Sequence, residues 1–273
     1  MKFLSLSNHM SNLIYRFKIR KRFQRRMSTE LYFFYNFLSK ILDKSRDFFV
    51  LRLNDNNPKV FNLYQYSNEK EYLGIQIEGT TRKLSKIQKE RKQNQKSKNI
   101  PQKGLLATLN EIKVDSENQV LFGICHGVRT GAENNYLLSN LYPGSKVIGT
   151  DIAPQVENYE NCIVWDFHKE NLIWRDKVDF VYSNSIDQAR NPILALQNWI
   201  LSLKPMSGAL YLDLGRHSGK WGNTKLDPFA IEPELFAFYF YKYIRAEAYI
   251  QKILFSDPDN YRNVVYKIVR RSL

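Results

Sequence analysis

Between Val120 and Leu214 short apolar runs alternate with helix-like segments. In order they are QVLFGIC, a helical stretch from Gly131 to Leu141, KVIGT, NCIVW, VDFVYS, a helical stretch from Pro192 to Leu203, and ALYLDLG. Runs of five to seven residues, mostly apolar and rich in β-branched and aromatic side chains, fit strands buried on both faces. Parallel strands need a crossover between them, and the intervening helices supply it. The pattern predicts an α/β fold with a parallel sheet. In open sheets of that kind ligands bind beyond the carboxyl ends of the strands, so those ends are the places to look for chemistry.

Charge divides the chain. Up to Lys103, Lys and Arg number 23 against 8 Asp and Glu; beyond it they are 18 against 19, so the net charge of +14 belongs to the N-terminal region. Two clusters carry it, RFKIRKRFQRR (Arg16 to Arg26) and RKLSKIQKERKQNQKSK (Arg82 to Lys98). The expected organisation is a basic N-terminal extension over 1–103, with helices and short strands, followed by a catalytic domain over 104–273. Such clusters suit RNA phosphates, an anionic membrane surface or an anionic substrate, and they equally suit a solvated helix face. No window approaches the apolar length of a spanning helix, and the basic cluster follows the weak apolar start, the reverse of a secretory signal, so a cytoplasmic setting is expected. Cys125 and Cys162 are the only cysteines and the four histidines are dispersed, which argues against a disulfide framework or a metal site.

The first strand end reads Cys125-His126-Gly127-Val128-Arg129-Thr130-Gly131. Glycines permit positive φ and close ligand approach, and the helix that follows presents free N–H groups. Asp151 closes the next strand twenty residues after Gly131, a spacing suited to a turn and an acid serving one nucleotide. A packing turn with a capping aspartate is the alternative. Trp165-Asp166-Phe167 closes the third strand, and VDFVYSNSIDQARNP the fourth.

This succession resembles the class I S-adenosylmethionine-dependent methyltransferases. VDFVYSNSIDQARNP (Val178 to Pro192) and LKPMSGALYLDLG (Leu203 to Gly215) carry the likeness most closely, and it extends from about Val120 to Arg271, where AEAYIQKILF and NVVYKIVRR look like the family's last antiparallel strands. It implies a Rossmann-like, mostly parallel sheet with a C-terminal antiparallel strand, and S-adenosylmethionine as cofactor. Gly127 and Gly131 would bring the backbone against the methionine part. Asp151 would bind the ribose hydroxyls and Ile152 would lie against the adenine. Asp166 would accept from the adenine amine, Phe167 would supply a backbone N–H, and Ser183 would line the methionine side.

Cys125 and Arg129 stand where the family usually has an acid and a further glycine, and the resulting G-x-R-x-G turn resembles a variant within the family. Arg129 there would pair with the cofactor carboxylate. Candidate bases are Asp187 and His217, each just beyond a strand end. The acceptor expected is a small molecule or a sugar or glycan; an RNA methyltransferase using the basic region and a non-catalytic binding module are the alternatives. The S-N-S-I-D sequence after the fourth strand lacks the N-P-P-Y-like end common among enzymes that methylate base nitrogens.

Overall fold

The computed structural model describes residues 61–93, 102–117, 119–214, 224–255 and 264–272, with side chains left undescribed over 86–93. Every described residue belongs to one compact unit. The Arg16 to Arg26 cluster lies outside the described residues.

A seven-stranded sheet forms the centre, built from β2 (Phe122–His126), β3 (Lys146–Asp151), β4 (Cys162–Val164), β5 (Phe180–Ser183), β6 (Ala209–Leu214), β8 (Ala248–Phe255) and β9 (Val264–Arg270). Their order across the sheet is β4-β3-β2-β5-β6-β9-β8. The first five are parallel; β9 runs antiparallel to both β6 and β8. The strand order reverses between β2 and β3 on one side and β5 on the other, which opens a crevice at their carboxyl ends.

Both faces of the sheet are covered, and for that reason its central strands read as unbroken apolar runs. On one face α2 (Lys103–Ser116) and α3 (Ala132–Asn140) bury Leu105, Leu109, Ile112 and Leu137 against Cys125, Tyr182, Tyr211, Val265 and Val269. On the other, α4 (Pro192–Ser202) stacks Trp199 on His126, and α5 (Phe236–Tyr243) sets Phe236 on Tyr266 at 4.9 Å. Helix α4 starts where the sequence provides a cap and a preset φ: Asn191 accepts from Leu194 N at 3.1 Å, and Pro192 follows it. Helix α2 is also pinned by ion pairs, with Glu111 and Asp115 both meeting the buried Lys267.

A second, two-stranded sheet positions what comes before. Strand β1 (Phe61–Leu63) pairs antiparallel with β7 (Phe229–Ile231), which brings α1 (Glu69–Gln93) to the main sheet. Gln76 Nε2 then donates to Leu226 O at 3.0 Å, and Tyr66 OH donates to Lys225 O at 2.7 Å. The charge boundary at Lys103 is thus no boundary in packing: β1 and α1 belong to the same compact unit as the sheet. Among the described residues no helix is long and apolar enough to cross a membrane.

Candidate functional site

Parallel register sets the strand ends side by side. His126 lies opposite Thr150 on one side and Ser183 on the other, and Asp151 lies opposite Val164. The chain leaves β2 in a turn whose first N–H groups stay on the neighbouring strand: Gly127 N and Val128 N both donate to Thr150 O. Gly127 has φ 77, and a Cβ there would come within 2.4 Å of Ser185 Oγ; Gly131 has φ 67, and a Cβ there would meet Cys162 Sγ at 2.7 Å. Only glycine fits at either position. Arg129 holds φ 49 without being glycine, a conformation that costs energy and is fixed here by its N–H donating to Asp151 Oδ2 at 3.0 Å.

Asp151 is buried and its other oxygen accepts from Ala153 N at 3.0 Å. Burial raises its pKa, and these backbone donors only partly offset the effect. Each carboxylate oxygen retains capacity for a further donor, such as a ribose hydroxyl. Asp166 is treated differently. Burial pushes its pKa up too, but His168, donating to Oδ1 from its main chain (3.0 Å) and from Nδ1 (2.8 Å), outweighs that and holds the carboxyl below its ordinary value. His168 Nε2 accepts from Asn191 N at 3.4 Å, which fixes the proton on Nδ1. Asp166 Oδ2 is left shielded from solvent and without a partner.

Asp151, Ile152, Asp166 and Phe167 line one small space of about 10 Å³. Its roof comes from α1. Tyr72 lies edge-on to the His168 ring at 5.5 Å and donates from its hydroxyl to Gln188 O at 3.2 Å, and Gln76 sits beside it. Arg190 stands over the Tyr72 ring and pairs with Glu69 at 3.1 Å, tying the roof down.

Gly127 and Gln188 also border a second space, a half-open cleft of about 270 Å³. Arg129, Thr130, Glu133, Asn184, Ser185, Asp187, Lys83 and Asp227 line it, with Val128 as its one apolar wall. Asp187 lies in the single turn after β5, and its Oδ1 is shielded from solvent with no hydrogen bond. Burial, reinforced by the charge of Asp227 and opposed by Lys83, pushes its pKa up to about 7. That value suits a group that must hold and release protons near neutrality.

No protein-family model matches the chain, and no curated protein matches it in sequence. Solved structures do match. A Burkholderia thailandensis 1,6-didemethyltoxoflavin-N1-methyltransferase with bound S-adenosylhomocysteine aligns with 77% of this chain and 92% of its own at TM-score 0.51 and 11% identity. The chain has the class I methyltransferase fold. A trans-methyltransferase in complex with S-adenosylhomocysteine aligns with 62% of this chain and 58% of its own (TM-score 0.47, 15% identity), and mitomycin 7-O-methyltransferase with 62% and 52% (TM-score 0.46, 13% identity).

Within this methyltransferase fold, Gly127, Arg129, Asp151, Ile152, Asp166 and Phe167 line the two connected spaces, whereas Gly131 lines neither and is buried against Cys162. Ser183 is fully buried and its hydroxyl donates to His126 O, while Asn184 and Ser185 face the cleft beyond it. His217 lies outside the described residues. His126 is held neutral, burial lowering its pKa to about 3, and it bonds Thr150 through Nδ1. Sequence reasoning missed Tyr72, Gln76, Lys83, His168 and Asp227. Of these, only His168 carried a local signal, its place two residues after Asp166.

Proposed function

We propose that the protein is an S-adenosylmethionine-dependent methyltransferase acting on the hydroxyl of a polar small molecule or sugar, with Asp187 as the base. The observation that carries this reading is the junction of two unlike spaces at Gly127 and Gln188: one small, enclosed and flanked by an unpartnered Asp166 oxygen, the other open, polar and flanked by an unpartnered Asp187 oxygen.

The residues fit the cofactor. Asp166 Oδ2 is an acceptor without a donor, matching the adenine amine, and Ile152 with Phe167 offers apolar surface to the base. Asp151 keeps lone pairs for the ribose hydroxyls, and Gly127, which has no side chain and borders both spaces, leaves room for the methionine portion beside it. When bound, S-adenosylmethionine supplies an electrophilic methyl group on a sulfonium. Asp187, ionised, takes the acceptor hydroxyl's proton as that oxygen becomes the nucleophile. Lys83, opposing the rise in the Asp187 pKa, keeps a share of it ionised at neutral pH. The polar cleft holds the acceptor by hydrogen bonds, so most of the acceleration comes from positioning.

The basic run from Arg82 continues along α1 from the helix turn that brings Lys83 to the cleft. This favours RNA as the second reading, with phosphates on that run, and a steep fall of affinity with salt would distinguish it. The test of the main reading is calorimetric titration of S-adenosylmethionine and S-adenosylhomocysteine into the wild type and Asp151→Ala. Micromolar binding that weakens by about 100-fold in the variant is expected. Absence of binding to folded wild type would overturn the reading.

A further inference from the structure

Asp227 borders the cleft, and several bonds fix its place there. It ends a short turn before β7 in which Thr224 Oγ1 accepts from Asp227 N at 3.0 Å and Thr224 N donates to Asp227 O at 3.0 Å. Helix α1 holds the middle of that turn: Lys225 Nζ meets Glu71 Oε1 at 3.7 Å, and Gln76 Nε2 donates to Leu226 O at 3.0 Å. Leu226 also lies against Gly79, where a Cβ would come within 2.3 Å of its Cδ2. About two helical turns beyond Gln76, on the same helix, Lys83 borders the cleft as well. One support thus carries an acid and a base to the cleft wall that holds Asp187. Other charges there are few. Of the elements packed against the Asp187 turn, β7 and α4 contain no charged residue, and across the cleft Arg129 and Glu133 oppose each other in sign. Burial is the main reason that the Asp187 carboxyl holds its proton, and the charges of Asp227 and Lys83 come next, with opposite effects.

We propose that Asp227 is a positioning residue for the base: its negative charge strengthens Asp187 as a proton acceptor, while Lys83, fixed on the same support, keeps Asp187 from staying protonated. This rests on the reading of Asp187 as the base and adds to it a role for Asp227 and for the turn that carries it. The chemistry requires the balance. An ordinary carboxylate is a weak base towards a hydroxyl, and a neighbouring like charge makes it a stronger one. Unopposed, burial and Asp227 together would leave Asp187 protonated at neutral pH, with no capacity for the acceptor's proton. A cation alone would have the reverse fault, an ionised carboxylate too weak to draw the proton away. The two charges act on Asp187 without touching the acceptor, so their effect is present in the empty cleft.

The experiment is a carbon-13 NMR titration of the full chain, labelled at the aspartate side-chain carboxyl and free of ligand, with the Asp187 resonance identified by its absence in Asp187→Asn. In the wild type that resonance should titrate at about 7. Asp227→Asn should lower the midpoint by about one pH unit, and Lys83→Met should raise it by about as much. Lys83→Arg, which keeps the charge, should hold it in place. The opposite directions are the signature of charge, because a structural disturbance of the cleft would expose Asp187 and lower the midpoint in both variants. Midpoints that stay put, or that move the same way in both, overturn the role of Asp227 and leave Asp187 as the base. A wild-type Asp187 that titrates at the ordinary carboxylate value overturns that role and removes the support for the base as well. Should Asp227→Asn not fold, Lys83→Met against Lys83→Arg decides: equal midpoints overturn the balance.

Discussion

The two ends of the site are finished to different degrees. At the enclosed end Asp166 has one oxygen saturated by two donors from His168, and Tyr72 and Gln76 close the space from above. At the open end Arg129, Glu133 and Asp187 each carry an atom that is shielded from water and bonded to nothing. The pKa directions follow that division only in part: the Asp166 carboxyl is held down by its donors, whereas Asp151 beside it, like Glu133 and Asp187, is pushed up by burial that its partners do not fully offset. The first arrangement suits rigid recognition of one planar ring. The second stores unsatisfied polarity that a ligand, or a proton in transit, completes.

Asp187→Asn should break this contrast most visibly. Losing the base is expected to lower turnover by about 10² to 10⁴ with little change in S-adenosylhomocysteine affinity. Wild-type turnover should rise with pH through about 7, because only ionised Asp187 takes a proton, and the variant should lose that dependence. Stability should move the other way. The folded pKa lies above the ordinary value of 3.8, so the native state binds the extra proton between the two values, and stability falls as pH rises through that window. The variant should therefore melt above the wild type at about pH 8, and the difference should vanish below about pH 4. A variant that keeps full turnover, or that melts lower at high pH, contradicts the assignment.

Neither end was wholly legible in sequence. Strands buried on both faces announce themselves as apolar runs, and the residues closing them are adjacent in sequence to what they do; Gly127, Asp151 and Asp166 were readable for that reason. The roof was not. It depends on β1, three residues long, pairing Phe61 with Ile231 and Leu63 with Phe229 across some 170 positions. A strand that short has no periodicity to detect, and nothing local ties Tyr72 or Lys83 to a cleft made far downstream. Glu133 was visible as the acid that follows the G-x-R-x-G turn, with no role attached to it. Only its missing partner, a three-dimensional fact, marks it. Ser183 is the last residue of β5 and turns its hydroxyl to His126 O, whereas Ser185 lies in the turn beyond the strand and borders the cleft.

His168→Gln sharpens the comparison from the enclosed end. The substitution removes the ring donor that holds the Asp166 carboxyl ionised and aimed, so S-adenosylhomocysteine should bind about tenfold more weakly. S-inosylhomocysteine, whose ring carries an oxygen in place of the amine, gains nothing from Asp166 and should be affected little. The preference for adenine should therefore shrink. A uniform loss for both ligands would make His168 a packing residue only. The pH sign is opposite to that of Asp187: a depressed folded pKa contributes stability above the ordinary 3.8 that disappears as pH falls. The variant, having lost that contribution, should show a shallower acid destabilisation than the wild type.

Tyr72→Phe probes the roof with the smallest change. It deletes one hydrogen bond, from the hydroxyl to Gln188 O, and keeps the ring against His168 and under Arg190. Such a bond contributes about 1 kcal/mol, or roughly fivefold in an equilibrium constant. The enclosed space is walled by α1, so adenine entry requires this end of the helix to lift, and the hydroxyl acts as its latch. Loosening the latch should speed both entry and release of S-adenosylhomocysteine in stopped-flow measurements, changing affinity less than either rate. Tyr72→Ala, which also removes the ring, should weaken affinity itself. If Tyr72→Phe slows entry or leaves both rates untouched, the helix is a fixed wall, and the cofactor's route runs through the open cleft past Gly127.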